Sequence, residues 1–139
     1  MPQHWLFLSD PDSYHLDTLF RKEKDVWDGV YGSNAQKHLA QIKNGDRILG
    51  YHTAPEKAVY AVLEAVSDCY PDPKEKEKTV WVVDVQGVRK LSRPVPLAEL
   101  RADRKLAKMK FLIIPRLAVS PLTPAEYQEI LRLAGEKAA

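Results

Sequence analysis

Four stretches rich in β-branched and aromatic residues follow one another through the middle of the chain. They are Arg47–His52, Ala58–Val66, Thr79–Val85 and Val88–Val95. Runs of this kind, bounded by Asn, Asp, Gly and Pro, are typical of consecutive β-strands. Further strands are predicted at His4–Ser9 and Arg116–Ser120. A small chain with five or six short strands is expected to form a curved sheet or a partly closed β-barrel.

Helical patterns flank these strands. Helices are predicted at Tyr14–Arg21, about Ala35–Lys43 and Pro124–Leu133, with shorter turns at Pro96–Leu100 and Lys105–Lys110. Ser33 or Asn34 can cap the second helix, and Thr123-Pro124-Ala125-Glu126 is a capping box with proline at the first helical position. The predicted fold class is therefore α+β, a curved sheet or partly closed β-barrel of five to six strands with helices packed around it.

The length of 139 residues fits one domain, residues 1–139. A hydrophobic fraction of 45% argues against disorder, and no apolar run approaches the roughly 18 residues that span a bilayer. The first residues lack the basic and apolar regions of a secretory signal. Cys69 is the single cysteine and the four histidines show no zinc spacing, so we expect no disulfide, no metal, no cofactor and a cytoplasmic location.

Short motifs occur in the order in which one protein family carries them. They are WLFLSDP at Trp5–Pro11, WDGV at Trp27–Val30, Gly45-Asp46 with Tyr51-His52-Thr53, YPDP at Tyr70–Pro73, Trp81–Val85 with Pro94–Leu97, and RLAVSP at Arg116–Pro121 followed by Thr123-Pro124. Together they resemble the EVE domain family of the PUA-like superfamily, which is similar in architecture to YTH domains. The resemblance implies a β-barrel-like fold with a pocket for a modified nucleobase in DNA or RNA.

The stretch Tyr31–Lys37 departs from the family pattern. After WDGV the family carries Arg-Asn-Tyr-Gln-Ala-Arg-Asn, whereas this chain has Tyr-Gly-Ser-Asn-Ala-Gln-Lys and keeps only Ala35. Leu8 replaces the usual lysine of the first motif. Since this segment is expected at the edge of the pocket, the identity of the ligand stays open.

An extruded base needs flat walls to stack on and polar groups along its edge. The predicted base pocket contains Ser9, Trp27, Tyr31, Gly32, Ser33, Asn34, Tyr51, His52 and Trp81. Gly32, Ser33 and Asn34 lead into a helix start, where free backbone N–H groups suit a phosphate or a base carbonyl. No GK[ST] follows, so this is not a P-loop.

Most of these residues also have a purely structural alternative, which for Ser9 is capping of the Asp10–Asp12 turn and for Tyr51 and His52 is packing at the rim of the barrel. Trp27 can pack onto the following helix, Tyr31 can be an exposed turn aromatic, and Trp81 can belong to the core. Ser33 or Asn34 would then only cap the helix.

The net charge of +2 hides an uneven distribution along the chain. Residues 1–70 carry a net charge of −3 and residues 71–139 a net charge of +5, with nine basic and two acidic side chains in Arg89–Arg116 alone. Phosphate contacts are predicted for Lys37, Arg89, Lys90, Arg93, Lys108, Lys110 and Arg116. Binding through such contacts would weaken as salt rises. The alternative is a solvated basic face.

The leading hypothesis is a module that binds a modified base in DNA or RNA. The alternatives are a PUA-like or ASCH-type enzyme acting on RNA or a nucleoside derivative, and a module that holds a small molecule in the pocket. Cys69 lacks a glycine elbow or helix start that would activate it, and no GxSxG or paired-carboxylate motif occurs, so no catalytic residue is assigned. Enzymatic activity and oligomeric state stay open.

Overall fold

A computed structural model describes residues 2–114 and 116–136 and shows a curled, half-barrel mixed sheet. Its strands are β1 His4–Ser9, β2 Asp25–Trp27, β3 Arg47–His52, β4 Ala58–Ala65, β5 Tyr70–Pro71, β6 Trp81–Pro96 and β7 Val119–Leu122. The strand order is β2-β6-β4-β3-β1-β7, and β5 pairs with β6 outside this path. β1 and β3 are parallel, and the other pairs are antiparallel. The predicted α+β class and curved sheet are confirmed.

Helices cover both faces of the sheet. They are α1 Asp17–Arg21, α2 Ser33–Leu39, α3 Leu97–Ala102, α4 Lys110–Ile113 and α5 Pro124–Leu133, with a 3-10 turn at Arg104–Leu106. Alternation along β1 sends Trp5 and Phe7 into a core shared with α1 and α2. Leu6 points the other way, into a core shared with α3 and α5. Apolar burial on both faces thus stabilises the sheet. In the described part of the chain, no helix is long and apolar enough to cross a membrane.

The segment predicted as two strands, Thr79–Val85 and Val88–Val95, is one 16-residue strand, β6. The register against β4 shifts near Gly87, which is the irregularity that lets a long strand coil around a small sheet. A Cβ atom at Gly87 would lie 2.9 Å from ring carbons of Phe20 in the core beneath. Gly87 therefore marks a close approach of α1 and not the end of a strand.

Other boundaries also differ from the sequence prediction. β2 was not predicted, and it forms because Val26 pairs with Asp84 at the edge of the sheet. The last strand starts at Val119 and not at Arg116, because Arg116 has φ +60°, which leaves the extended conformation. The capping box at Thr123 and Glu126 is confirmed.

One buried carboxylate fixes β1 to the turn before β3. Asp46 is 2% exposed and accepts hydrogen bonds from Trp5 Nε1 at 2.9 Å, the backbone nitrogen of Lys43 at 2.9 Å and the backbone nitrogen of Gln3 at 2.9 Å. Gln3 Nε2 adds a fourth bond at 3.0 Å. This network sets the position of β1, whose carboxyl end reaches the site described next.

Candidate functional site

A cavity of about 250 Å³ opens where the end of β1 meets the loop that follows β2. We call it the Trp27 cavity. It is lined by Leu8, Ser9, Asp10, Ser13, Tyr14, Val26, Trp27, Asp28, Gly29, Val30 and Ala118. The predicted pocket residues Ser9 and Trp27 therefore come together here.

Aromatic side chains form one wall of this cavity. Trp27 is 8% exposed, and its ring centroid lies 5.1 Å from that of Phe7 and 5.8 Å from that of Tyr14. The Tyr14 ring stands edge-on to Trp27, and its hydroxyl donates to Asp25 Oδ2 at 2.6 Å. Burial and the Asp25 carboxylate hold the pKa of Tyr14 well above its usual range. Trp27 is thus a fixed surface on which a flat ring can stack.

Polar groups of two kinds surround this wall. The Asp10 and Asp28 carboxylates are acceptors at the rim. The backbone N–H groups of Gly29 and Val30 have no hydrogen-bond partner within residues 2–114 and 116–136, and are therefore free donors. Gly29 has φ +77°, a left-handed conformation that glycine adopts without strain. Ser9 Oγ donates to the carbonyl of Tyr14 at 2.6 Å, which ties β1 to the opposite rim.

A second depression, the Asn34 groove, adjoins the Trp27 cavity through Gly29, Val30 and Ala118. Its volume is about 280 Å³, and it is lined by those three together with Tyr31, Gly32, Ser33, Asn34, Ala35, Ile114, Arg116 and Leu117. The predicted segment Tyr31–Asn34 and Arg116 thus lie beside the Trp27 cavity and not inside it.

Gly32 is the N-cap of α2, and no side chain caps the helix, so the prediction that Ser33 or Asn34 does so is wrong. Instead Gln36 folds back over the loop. Its Nε2 donates to the carbonyl of Val30 at 2.6 Å, and its Oε1 accepts from the backbone nitrogen of Trp81 at 2.7 Å. Tyr31 is 58% exposed, and its hydroxyl donates to Glu75 at 3.3 Å.

The remaining predicted pocket residues lie elsewhere. Tyr51 faces a cavity on the other side of β3, and Trp81 lines a separate groove with Lys37 and Lys78. His52 has no exposed surface. Tyr51 and His52 are separated because successive residues of a strand point to opposite faces. A role of Tyr51, His52 and Trp81 in base binding stays a prediction, because all three lie outside the Trp27 cavity.

His52 belongs to a cluster with His15 and Glu56, whose potential ligand atoms lie within 4.8 Å of one another. The backbone N–H of Leu16 donates to His52 Nε2 at 3.0 Å, so a neutral His52 carries its proton on Nδ1. The backbone N–H of Asp17 likewise donates to His15 Nδ1 at 3.1 Å. The nitrogens that face Glu56 therefore both carry protons, 3.2 Å and 3.9 Å from its carboxylate oxygens. This arrangement suits hydrogen bonds to a carboxylate and disfavours a cation, which needs free lone pairs.

Three of the seven predicted phosphate contacts have partners within the protein. Arg89 pairs with Glu136 at 2.8 Å, Lys90 with Asp17 at 3.0 Å, and Arg93 with Glu99 at 2.6 Å. The other four have no ion pair to any part of the chain that the structure describes; they are Lys37, Lys108, Lys110 and Arg116. Burial lowers the pKa of His38, and Lys110 and Lys37 lower it further, so both lysines lie near His38. The basic surface is thus smaller than the sequence suggests.

Sequence reasoning missed Tyr14, Asp28 and Ala118 as parts of the Trp27 cavity. Tyr14 was predicted to lie in a helix, but this helix starts at Asp17. The local sequence pattern therefore did not predict that Tyr14 lies beside Trp27. Asp28 could have been included, because it belongs to the same WDGV motif as Trp27.

Known proteins share this architecture. The family model described as EVE domain matches residues 3–133. Human thymocyte nuclear protein 1 is 29% identical, with 96% of this chain and 74% of that protein covered. The structure of Rpa0253 from Rhodopseudomonas palustris has a TM-score of 0.90 at 30% identity and covers 96% of this chain and 93% of its own.

A second structural relative was crystallised with a ligand. Human THYN1 protein in complex with 5-methylcytosine containing DNA has a TM-score of 0.88 at 28% identity, covering 97% of this chain and 99% of its own. ASCH from Zymomonas mobilis, at a TM-score of 0.59 and 14% identity, shares the fold alone. Because the family match extends over nearly the whole described chain, and three of the family motifs line the Trp27 cavity, the chain belongs to the EVE domain family.

Proposed function

We propose that this protein binds DNA that carries a modified base, and that the base is extruded from the duplex into the Trp27 cavity. The observation that carries the proposal is the human THYN1 complex with 5-methylcytosine DNA, whose structure matches 97% of this chain. The cavity supplies what an extruded base requires, since it combines an aromatic wall with acceptors and free donors.

The polar groups of the cavity suit the edge of a cytosine. Carboxylates accept from the exocyclic amine of cytosine, and Asp10 and Asp28 are placed at the rim. The free N–H groups of Gly29 and Val30 can donate to a base carbonyl. Leu8, Val26 and Ala118 add apolar surface against which a methyl group would be buried. Burying one methyl group contributes about 0.8 kcal/mol, which corresponds to about fourfold in affinity.

The strand on either side of the extruded base needs cations for its phosphates. Arg116 lines the Asn34 groove next to the Trp27 cavity, and Lys37 and Lys110 project from the nearby helices α2 and α4. These three have no ion pair among the described residues, so their charge is free to contact phosphate. We assign the backbone contacts to them rather than to the paired Arg89, Lys90 and Arg93.

The test is a titration, by fluorescence anisotropy, of labelled duplexes that differ at one base. The panel contains cytosine, 5-methylcytosine, the oxidised forms of 5-methylcytosine, N6-methyladenine and an RNA of the same sequence. The proposal expects at least one modified DNA to bind about fourfold or more tightly than its unmodified partner. Equal affinity for every modified and unmodified duplex would overturn it, and a preference for RNA would overturn the choice of DNA.

A further inference from the structure

A cavity larger than the Trp27 cavity lies apart from it. It has a volume of about 540 Å³ and lies beside the carboxyl end of β3, between the turn that follows this strand, α3 and α4. We call it the Tyr51 cavity. The lining residues that matter here are Tyr51, Lys57, Leu97, Arg101, Phe111 and Arg116. Its volume is in the range of small-molecule sites, which is about 300–1,000 Å³.

Tyr51 supplies a buried polar group without a partner. The residue is 3% exposed, and its ring packs 4.8 Å from that of Phe111. Within residues 2–114 and 116–136 its hydroxyl makes no hydrogen bond. Burial raises the pKa of Tyr51 and Arg101 opposes this, so the hydroxyl keeps its proton at neutral pH and can donate. The hydroxyl is open to the cavity and is therefore available to donate to an acceptor that comes from outside the chain.

Three cations surround the same opening. Lys57, Arg101 and Arg116 are exposed and form no ion pair with any described residue. Lys57 has φ +51° and Arg116 has φ +60°, and they are the two residues other than glycine with positive φ in the described chain. The left-handed conformation costs such residues about 1 kcal/mol or more, and residues under this kind of strain cluster at ligand sites. Here both strained residues present a positive charge to one cavity.

We propose that the Tyr51 cavity binds a nucleotide, with its phosphate held by Lys57, Arg101 and Arg116 and its flat base against Phe111 and Leu97. Guanidinium groups form charge-assisted hydrogen bonds with phosphate oxygens, and the Tyr51 hydroxyl donates one more. The aromatic and aliphatic wall has no charged group and suits a ring. Two sources carry this chemistry: a free mononucleotide, and a nucleotide that flanks the extruded base in a bound strand. The Tyr51 cavity adjoins the first site at two residues. Arg116 lines both the Tyr51 cavity and the Asn34 groove, and Leu8 lines both the Tyr51 cavity and the Trp27 cavity.

The test uses deoxycytidine 5′-monophosphate and deoxycytidine as probes in calorimetric and NMR titrations of the intact protein. The monophosphate is expected to bind about tenfold or more tightly than the nucleoside and to shift the amide signals of Arg101 and Leu112 more than that of Gly29. Arg101→Gln should weaken binding about tenfold, and Tyr51→Phe about fivefold. Arg104→Gln is the matched control, because Arg104 is an exposed cation on the neighbouring turn that does not line the cavity.

Equal binding of the nucleotide and the nucleoside would overturn the proposal. So would equal losses in Arg101→Gln and Arg104→Gln, which would indicate a general charge effect, or shifts confined to Gly29. Thermal unfolding of each variant establishes that it is folded before its binding is compared.

A competition experiment distinguishes the two sources. If saturating monophosphate weakens the binding of a DNA duplex, and Arg101→Gln weakens that binding too, the cavity holds a nucleotide of the strand. If duplex and monophosphate bind together, the source is the free nucleotide. The monophosphate titration contains no modified base, so its outcome does not depend on whether the proposed base recognition is correct.

Discussion

The carboxylate of Asp46 is expected to be a main support of the amino-terminal strand, and Asp46→Asn tests this. The side chain has four donors around it, three on Oδ2 and one on Oδ1. An asparagine amide can turn its oxygen toward the three donors on the Oδ2 side. Its NH2 group then faces the backbone N–H of Gln3, which donates to Oδ1 at 2.9 Å in the native chain. Two donors are left facing each other in a site that is 2% exposed.

The expected cost follows from these contacts. A hydrogen bond to a charged group contributes about 1.5–3 kcal/mol, and the three that remain become weaker once the acceptor is neutral. Relief from burying a charge offsets part of this loss. We expect Asp46→Asn to lower the free energy of unfolding by about 3 kcal/mol, or the melting temperature by about 12 °C at roughly 4 °C per kcal/mol for a chain of this size.

Urea unfolding followed by tryptophan fluorescence measures this change, and Trp5 is itself a reporter because its indole donates to Asp46. Asp12→Asn is the control, since Asp12 is exposed and should change stability by less than about 0.5 kcal/mol. A loss in Asp46→Asn no larger than that of the control would refute the reasoning.

Three further outcomes follow from other parts of the structure. Gly87→Ala should lower the free energy of unfolding by about 1–3 kcal/mol, because its Cβ would lie 2.9 Å from the Phe20 ring. Gly32→Ala has open space around its Cβ and loses only the preference of an N-cap for glycine over alanine, so it should cost less than about 1 kcal/mol in the same urea unfolding experiment. Glu129 is buried, and its hydrogen bonds to Arg132 lower its pKa from the ordinary 4.5 to about 2. The stability that this carboxylate contributes is therefore present above about pH 4.5 and is lost as the pH falls toward 2. Glu129→Gln should flatten the acid limb of melting temperature against pH in that window, and an unchanged limb would contradict the assignment. The logarithm of the DNA affinity should fall linearly with the logarithm of salt concentration, with a slope of about −3 if three cations contact phosphate, and a slope near zero would exclude these contacts.

Local signals were sufficient to predict most of the sheet. β1 and β3 have the predicted bounds, because short aromatic or β-branched runs between turn residues leave few alternatives. The break at Gly87 was misleading, because a glycine that ends a strand and a glycine that admits a neighbouring ring look alike in sequence. β2 is three residues long and gains its place only from pairing with β6, which no local pattern encodes.

The site was only partly predictable for a related reason. Ser9 and Trp27 meet at one cavity although 18 positions separate them, and it was the family motifs rather than periodicity that linked them. Tyr51 and His52 are neighbours in sequence, yet the strand places them on opposite faces. The charges of Arg89 and Lys90 were counted correctly, but their acidic partners, Glu136 and Asp17, come from distant segments.

The most direct test of the central claim fills the Trp27 cavity. The side chain of Ala118 lines this cavity, while its backbone carbonyl accepts from the nitrogen of Leu8 at 2.9 Å, so Ala118→Leu blocks the space and keeps the bond. The control is Ala125→Leu, an exposed position on α5. The measurement is the ratio of affinities for the preferred modified duplex and its unmodified partner. We expect a ratio of about fourfold or more in the native chain and in Ala125→Leu, and a ratio near one in Ala118→Leu. An unchanged ratio in Ala118→Leu would show that the modified base is not read in the Trp27 cavity.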